Sequence, residues 1–213
     1  MEEVDRLMTS RYRIDLLQMM TLAGRHLAHF SRQHFLKGRI AGRSVLLLAG
    51  KGGTGGGVLA AGRWLQAGGA HVRNVLGHPA AELSPAAATQ LPILQEMGEI
   101  MTAIHPGGAA LILDGLIGYS LKGDPQGRTA ELIEWCNRQI TPVVSLDLPS
   151  GLHPDTGIPA NPSIRASATL TLALPKKGLL TAKARPRVGE VYLADIGVGP
   201  GRGSGAQGRE GET

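Results

Sequence analysis

The sequence has very few cysteine and aromatic residues. Cys136 is the single cysteine, and Phe, Trp and Tyr together make up 3% of the 213 positions. One cysteine cannot form an internal disulfide, so the chain is not a disulfide-stapled scaffold, and this usage is typical of a reducing compartment. Because aromatic rings are scarce, the core must consist of Leu, Val, Ile and Ala. The hydrophobic content of 42% is enough to fill the core of one large domain.

The sequence also lacks long apolar runs. No stretch approaches the 18 consecutive apolar residues of a membrane span, and the first residues, MEEVDRLMTSRYR, are charged where a signal peptide is apolar. We therefore expect a cytoplasmic protein without a membrane partner. The formal charge of +5, from 22 Lys and Arg against 17 Asp and Glu, favours anionic ligands. Because the basic residues are dispersed, we expect no nucleic-acid partner.

Apolar strands and helical patterns alternate along the chain. Strands of nearly continuous apolar character, separated by helices, predict an α/β fold with a mostly parallel sheet that is covered on both faces. An amphipathic helical arm, broken near residues 9–13, is predicted before the sheet, within residues 2–36. Further helices are predicted from the glycine-rich segment to about Gln66, from Ser84 as a cap with Pro85 first in the helix, and over residues 128–138. The six predicted strands are residues 45–49, 71–76, 109–113, 142–146, 168–174 and 188–193.

A glycine-rich segment, residues 50–57, follows the first predicted strand. Gly50, Gly52 and Gly55 satisfy the pattern G-x-G-x-x-G, in which main-chain N–H groups at a helix start approach phosphate oxygens. The segment therefore predicts an anion-binding turn. A tight turn that binds nothing is the alternative, since such turns are common in α/β proteins.

Polar residues follow three more of the predicted strands. Asp114 opens the loop DGLIGYSLKGD, Asp147 opens DLPSG, and Lys176 and Lys177 follow the fifth strand. Ligands of an open parallel sheet bind beyond the carboxyl ends of its strands, so these residues together with the glycine-rich segment outline a pocket. For the two aspartates the alternative is a local turn or cap, and for the two lysines it is ordinary solvation.

Four ordered blocks of the sequence resemble the YjeF N-terminal domain family, the NAD(P)H-hydrate epimerases. They are EVDRLMTSRYRIDLLQMM with AGRHLA, VLLLAGKGGTGGGVLAAGRWL, ILDGLIGYSLKGD, and VVSLDLPSGLHPDTG with LTLALPKKGLL. The resemblance spans about residues 3–194. It implies a three-layer αβα Rossmann-like domain over residues 1–196, commonly a homodimer. Residues 197–213 are rich in glycine and have no apolar pattern, which predicts a flexible tail. The implied activity interconverts the R and S epimers of hydrated NADH or NADPH, which a partner dehydratase then repairs.

The resemblance also assigns roles to residues of this chain. It implies a bound potassium ion, with Asp114 and Ser150 as ligands, and an acid/base pair of Asp147 with Lys122 near the nicotinamide. The implied substrate contacts are Gly53, Thr54, Gly55, Gly56, Gly57, Gly118, Tyr119, Ser120, Leu121, Lys122, Gly123, Asp124 and Asp147.

The glycine-rich segment departs from the family pattern G-P-G-N-N-G-G-D-G. Lys51 replaces the proline, Gly53 and Thr54 replace the two asparagines, one of which is normally a potassium ligand, and Gly57 and Val58 replace the final Asp-Gly. The helical arm likewise lacks a Glu and an Asn of the family pattern. These losses keep a second interpretation open, in which the chain is a catalytically weak or inactive homologue that binds a nucleotide or acts as a dimeric scaffold.

Three other kinds of site fit the sequence less well. KGGTGGG is similar to the ATPase motif K-G-G-x-G-K-[ST], but Gly56 and Gly57 stand where that motif needs Lys and Ser or Thr. A conventional NAD-dependent dehydrogenase needs an acidic residue after its second strand, where this chain has Leu76, Gly77 and His78. No neighbouring cysteine or acidic residue completes a zinc site with His26, His29 and His34.

Overall fold

The fold was analysed in a computed structural model, which describes residue 6 and residues 8–97, 99–101 and 108–197. Helix α1 spans Leu16–His34 and begins with a capping box. The Asp15 carboxylate accepts the Gln18 N–H at 2.7 Å, and the Gln18 side chain accepts the Asp15 N–H at 2.9 Å. Residues 8–10 are also helical, so the predicted break in the arm near residues 9–13 is confirmed.

Within the described ranges, seven strands form one sheet in which every neighbouring pair is parallel. The order is β3-β2-β1-β4-β5-β6-β7. Strand β3 was not predicted, because its three residues are too few to show a pattern; it lies at one edge of the sheet, where it pairs with β2. The strands are β1 Ser44–Ala49, β2 His71–Leu76, β3 Glu99–Met101, β4 Leu111–Gly115, β5 Val143–Leu146, β6 Ala168–Leu172 and β7 Glu190–Ala194.

Helices cover both faces of the sheet, so the predicted three-layer α/β fold is confirmed. Helices α2 (Gly53–Ala67) and α3 (Pro85–Met97) pack with α1 over one face. Helix α4 (Gly127–Asn137) covers the other, where Leu132, Ile133 and Cys136 meet Leu46 and Ile112. As predicted, Pro85 opens α3, and Ser84 Oγ caps it by accepting the Ala87 N–H at 3.3 Å. The structure also has short helices at Ala80–Glu82, before α3, and at Lys177–Leu180 and Arg185–Val188 (α5), before β7.

Several predicted boundaries were wrong near strand ends. Asp114 lies inside β4 rather than after it, and the predicted turn over residues 50–57 is helical from Gly53 onward. Strand β6 ends at Leu172 because Ala173 has a φ of 59°. The last strand begins at Glu190 rather than at residue 188, because Arg185–Val188 is helical and Gly189 turns the chain with a φ of 58°.

The predicted tail, apart from Gly197, lies outside the described residues, so the domain boundary at residue 196 stays a prediction. None of the helices in the described ranges is both long enough and apolar enough to span a membrane.

Candidate functional site

The sheet has a topological switch point between β1 and β4. From these two central strands the order runs outward in opposite directions, so the loops that follow them separate and leave a crevice. A cleft of about 710 Å³ lies there, which we call the polar cleft. Residues 51–54 line it on the β1 side and residues 116–122 and 124–126 on the β4 side, with His78, Glu82, Ser84 and Thr129. The glycine-rich segment and the loop after Asp114 therefore meet, as predicted.

Only two of the three glycines in the motif are required by close packing. A Cβ atom on Gly50 would lie 1.8 Å from the Leu116 carbonyl oxygen, and one on Gly55 would lie 1.9 Å from the Gly50 carbonyl oxygen. A Cβ on Gly52 or Gly53 would meet no described atom within 4 Å. Gly50 therefore lets the turn pack against the loop after β4, Gly55 lets the helix start pack against Gly50 within the turn, and Gly52 and Gly53 face open space.

The start of α2 offers main-chain N–H groups to the polar cleft. Gly52 is its N-cap and has no side chain to accept them, and the first helical hydrogen bond runs from the Gly56 N–H to the Gly52 carbonyl at 3.1 Å. The N–H groups of the helix residues before Gly56 lack helical acceptors, so an anion can bind there. This geometry supports the predicted anion-binding turn.

Apart from Asp147, the predicted substrate contacts divide into two groups. Gly53, Thr54 and the residues Gly118, Tyr119, Ser120, Leu121, Lys122 and Asp124 line the polar cleft, and Gly123 lies within the same loop with a φ of 68°. Gly55, Gly56 and Gly57 do not line the polar cleft. They are buried in α2, where a Cβ on Gly56 would meet Met20 Sδ at 2.4 Å and one on Gly57 would meet a Leu146 methyl at 2.6 Å. Close packing leaves no room for a Cβ at these three positions.

Two basic residues of the polar cleft were missed as site residues. Lys51 Nζ lies 3.8 Å from Glu82 Oε2, with both side chains about half exposed. Burial lowers the pKa of His78, and the nearby Lys51 charge lowers it further. Lys51 stands inside the glycine motif and could have been found there, whereas no sequence pattern marked His78.

A second cleft of about 430 Å³ continues from the first. It shares Gly53, Thr54 and Tyr119 with the polar cleft and is otherwise lined mostly by apolar side chains, so we call it the apolar cleft. Its further lining residues are Arg6, Thr9, Leu16, Met19, Met20, Ala23, Leu146, Asp147, Leu172 and Ile196. Asp147 is thus a buried carboxylate in largely apolar surroundings, 2% exposed.

Asp147 occupies a strained turn at the end of β5. Its φ is 70°, and the Leu148 N–H bonds back to the Leu146 carbonyl at 2.9 Å, which closes a three-residue γ-turn. This form is rare for a residue other than glycine. Backbone strain of this kind persists where surrounding contacts enforce it and is concentrated at functional sites.

The ammonium group that contacts Asp147 belongs to Lys176, whereas Lys122 lines the polar cleft. Lys176 Nζ bonds to Asp147 Oδ1, and the two side chains are 7% and 3% exposed. Lys122 is exposed and does not line the apolar cleft. The sequence had left open whether Lys176 is a solvated lysine or a ligand contact, and its burial excludes ordinary solvation.

Asp114 and Ser150 are brought together, as predicted, in a buried hydrogen-bonded cluster. Asp114 Oδ1 accepts the Ser150 hydroxyl at 2.5 Å and the Leu116 N–H at 3.2 Å. Asp114 Oδ2 accepts the Ser145 hydroxyl at 2.7 Å and the Ser150 N–H at 2.9 Å. Burial raises the pKa of Asp114, and these hydrogen bonds act in the opposite direction. These hydrogen bonds connect Asp114 in β4 to Ser145 and Ser150, on either side of Asp147 in the sequence.

Comparison with known proteins gives a consistent family assignment. The family model for YjeF-related protein N-terminus matches residues 16–178. A protein of Dehalogenimonas lykanthroporepellens named NAD(P)H-hydrate epimerase is 44% identical over 94% of this chain and 80% of its own length. One of Rhodopirellula baltica with the same name is 32% identical over 92% of this chain and 81% of its own. The bifunctional NAD(P)H-hydrate repair enzyme of Salinibacter ruber is 34% identical over 94% of this chain, which spans only 40% of that longer protein.

Similarity in three dimensions supports the fold. A crystal structure of the yeast protein ynu0 superposes with a TM-score of 0.73 at 24% sequence identity, covering 91% of this chain and 84% of that one. The family match, the relatives and the geometry at the switch point agree: this chain belongs to the YjeF-related protein N-terminus family.

Proposed function

We propose that this protein is an NAD(P)H-hydrate epimerase, an isomerase that interconverts the R and S epimers of NADHX or NADPHX. The observation that carries the proposal is the joining of two clefts of different character at Gly53 and Thr54. The polar cleft suits the phosphates of a dinucleotide, because α2 begins there and Lys51 and Lys122 supply positive charge. The apolar cleft suits the hydrated nicotinamide ring, and it presents the Asp147 carboxylate to that ring.

The reaction inverts the configuration of one carbon atom of the substrate, C6. The substrate is a hemiaminal, so the ring nitrogen can expel the C6 hydroxyl as an iminium forms, and water then adds to the opposite face. A base must take the proton of the incoming water, and in the reverse direction the same group must protonate the leaving hydroxyl, a role that contributes about 10²- to 10⁴-fold. Asp147 performs this role on the face of the ring that it contacts, and solvent water exchanges the corresponding proton with the hydroxyl on the opposite face.

One carboxylate oxygen of Asp147 is free for this proton transfer. Oδ1 accepts from Lys176 Nζ, from the Leu172 N–H at 3.0 Å and from the Thr171 hydroxyl at 3.3 Å. No donor among the described residues bonds to Oδ2. The protein thus anchors one oxygen and leaves the other for the proton that moves.

The potassium ion implied by the resemblance does not fit the arrangement of Asp114 and Ser150. A carboxylate has about four acceptor positions, and Asp114 already receives four hydrogen bonds. Both residues are fully buried, and Gly53 and Thr54 replace the two asparagines, one of which is normally a further potassium ligand in the family. We therefore assign potassium no step, and we expect equal rates in potassium and sodium buffers.

Three expectations accompany the proposed function. We infer a homodimer in the cytoplasm that works with an NAD(P)H-hydrate dehydratase, since two of the relatives are named as bifunctional NAD(P)H-hydrate repair enzymes. Sedimentation equilibrium tests the dimer. The catalytically weak or scaffold alternative has less support, because relatives at 32–44% identity are named as epimerases or repair enzymes.

A coupled assay tests the activity directly. Equilibrated NADHX is given to an S-specific dehydratase, which consumes the S epimer quickly and the R epimer only as fast as it epimerises. Added protein should accelerate the second phase well above the spontaneous rate, and Asp147→Asn should reduce that acceleration by about 10²-fold or more. A wild-type protein that binds ADP-ribose in calorimetry and leaves the second phase unchanged would instead support the scaffold alternative.

A further inference from the structure

The Lys176 side chain is an unusually well-coordinated buried ammonium. Its three N–H groups match three acceptors: Asp147 Oδ1, the Leu172 carbonyl at 3.0 Å and the Thr171 hydroxyl at 3.3 Å. The Thr171 hydroxyl in turn donates to Asp147 Oδ1. Ammonium, hydroxyl and carboxylate oxygen therefore form a closed triangle at the ends of β5 and β6.

A turn in the backbone before Lys176 allows its side chain to reach Asp147. Ala173 has a φ of 59°, and the Leu174 N–H bonds to the Leu172 carbonyl at 2.6 Å, so β6 ends in the same kind of three-residue turn as β5 does at Asp147. The turn reverses the chain after β6 and lets Nζ return to the strand end. Two strained turns, side by side, thus bring a lysine and an aspartate together.

We propose that Lys176 is a positioning residue for the epimerase, an inference that rests on the proposed function. Its ammonium fixes Asp147 Oδ1 so that Oδ2 is the oxygen presented to the substrate ring in the apolar cleft. Lys176 therefore has the role of partner to Asp147 that the sequence had assigned to Lys122. Lys176 touches no reacting atom, because its three N–H groups are all engaged within the protein.

Replacement of Lys176 should affect turnover rather than nucleotide binding. Displacement of a catalytic group by about 1 Å can cost about 10²-fold in rate. We expect Lys176→Met to lower kcat by about that factor in the coupled assay, with KM and the Kd for ADP-ribose changed less than about threefold, since Lys176 does not line the polar cleft. Lys177→Met is the matched control, because the neighbouring Lys177 is exposed and should tolerate the change. A folded Lys176→Met protein with wild-type kcat would overturn the proposal.

Two further measurements keep the test decisive. If Lys176→Met does not fold, Thr171→Val keeps the ion pair and nearly the same volume but removes the hydroxyl that bridges the ammonium and Oδ1. Its kcat should fall several-fold at unchanged KM, and an unchanged kcat would overturn the proposal.

Crystal structures of the wild type and of Lys176→Met, or of Thr171→Val if Lys176→Met does not fold, give a readout that does not depend on activity. Movement of the Asp147 carboxylate in the variant supports positioning by Lys176, and an unmoved carboxylate contradicts it. If the wild type itself fails to epimerise NADHX, the proposed function fails, and these structures still decide whether Lys176 positions Asp147.

Discussion

The contact between Gly55 and Gly50 allows a sharp test of how the glycine-rich segment is built. A Cβ on Gly55 would lie 1.9 Å from the Gly50 carbonyl oxygen, and it would also lie 2.6 and 2.7 Å from the Gly50 carbonyl carbon and nitrogen. Cβ contacts below 3.0 Å are essentially never seen, so backbone must move by 3.0 − 1.9 = 1.1 Å. All three neighbours are main-chain atoms, and no side chain can rotate to make room.

The expected cost of Gly55→Ala follows from this geometry. Overpacking of a tight interior costs about 1–3 kcal/mol, and a clash between backbone segments belongs at the upper end, about 3 kcal/mol. For a domain of this size that corresponds to a fall in Tm of about 6–12 °C. Displacement of the turn should also weaken ADP-ribose binding. Differential scanning calorimetry gives Tm and isothermal calorimetry gives Kd.

Gly53→Ala is the matched control in the same helical turn. A Cβ there would meet no described atom within 4 Å, and Gly53 does not have a positive φ. Replacing such a helical glycine by alanine stabilises by about 0.5–1 kcal/mol. Equal Tm values for the two variants would refute the reasoning, because the motif would then need its glycines for flexibility alone and not for close approach.

Three further outcomes are expected. Asp114→Asn should destabilise the fold by about 2–4 kcal/mol in urea unfolding, because either amide orientation turns the NH₂ group toward a main-chain N–H, that of Leu116 or of Ser150; an unchanged urea midpoint would argue against the buried cluster. Cys136 should react with a thiol reagent only as fast as the protein unfolds, because burial, with a smaller contribution from the Asp114 charge, raises the pKa of its thiol; rapid labelling of the folded protein would contradict this. Lys122→Ala should weaken ADP-ribose binding about tenfold and make it less dependent on salt, with kcat unchanged; a loss of kcat at constant Kd would restore Lys122 as the acid/base partner of Asp147.

Local patterns in the sequence were sufficient for the architecture. Near-continuous apolar runs such as Leu46–Leu48 mark strands buried on both faces, and Ser84 with Pro85 marks a helix start because a cap and a fixed φ act within one turn of chain. Strand β3 was missed because its three residues are too few to show a pattern. The boundaries at Leu172 and Glu190 were misplaced because the turns at Ala173 and Gly189 depend on φ values that composition does not reveal.

The sequence by itself determined the α/β fold, the family and the four segments that gather at the site, because periodicity, glycine spacing and the order of motifs are local or linear properties of the chain. The tertiary structure alone decided which groups touch. It separated Gly50 and Gly55, which are needed for backbone contact, from Gly52 and Gly53, which face open space. It also gave Asp147 its partner, because the buried ammonium of Lys176 reaches it only once β5 and β6 lie side by side and both strands end in strained turns.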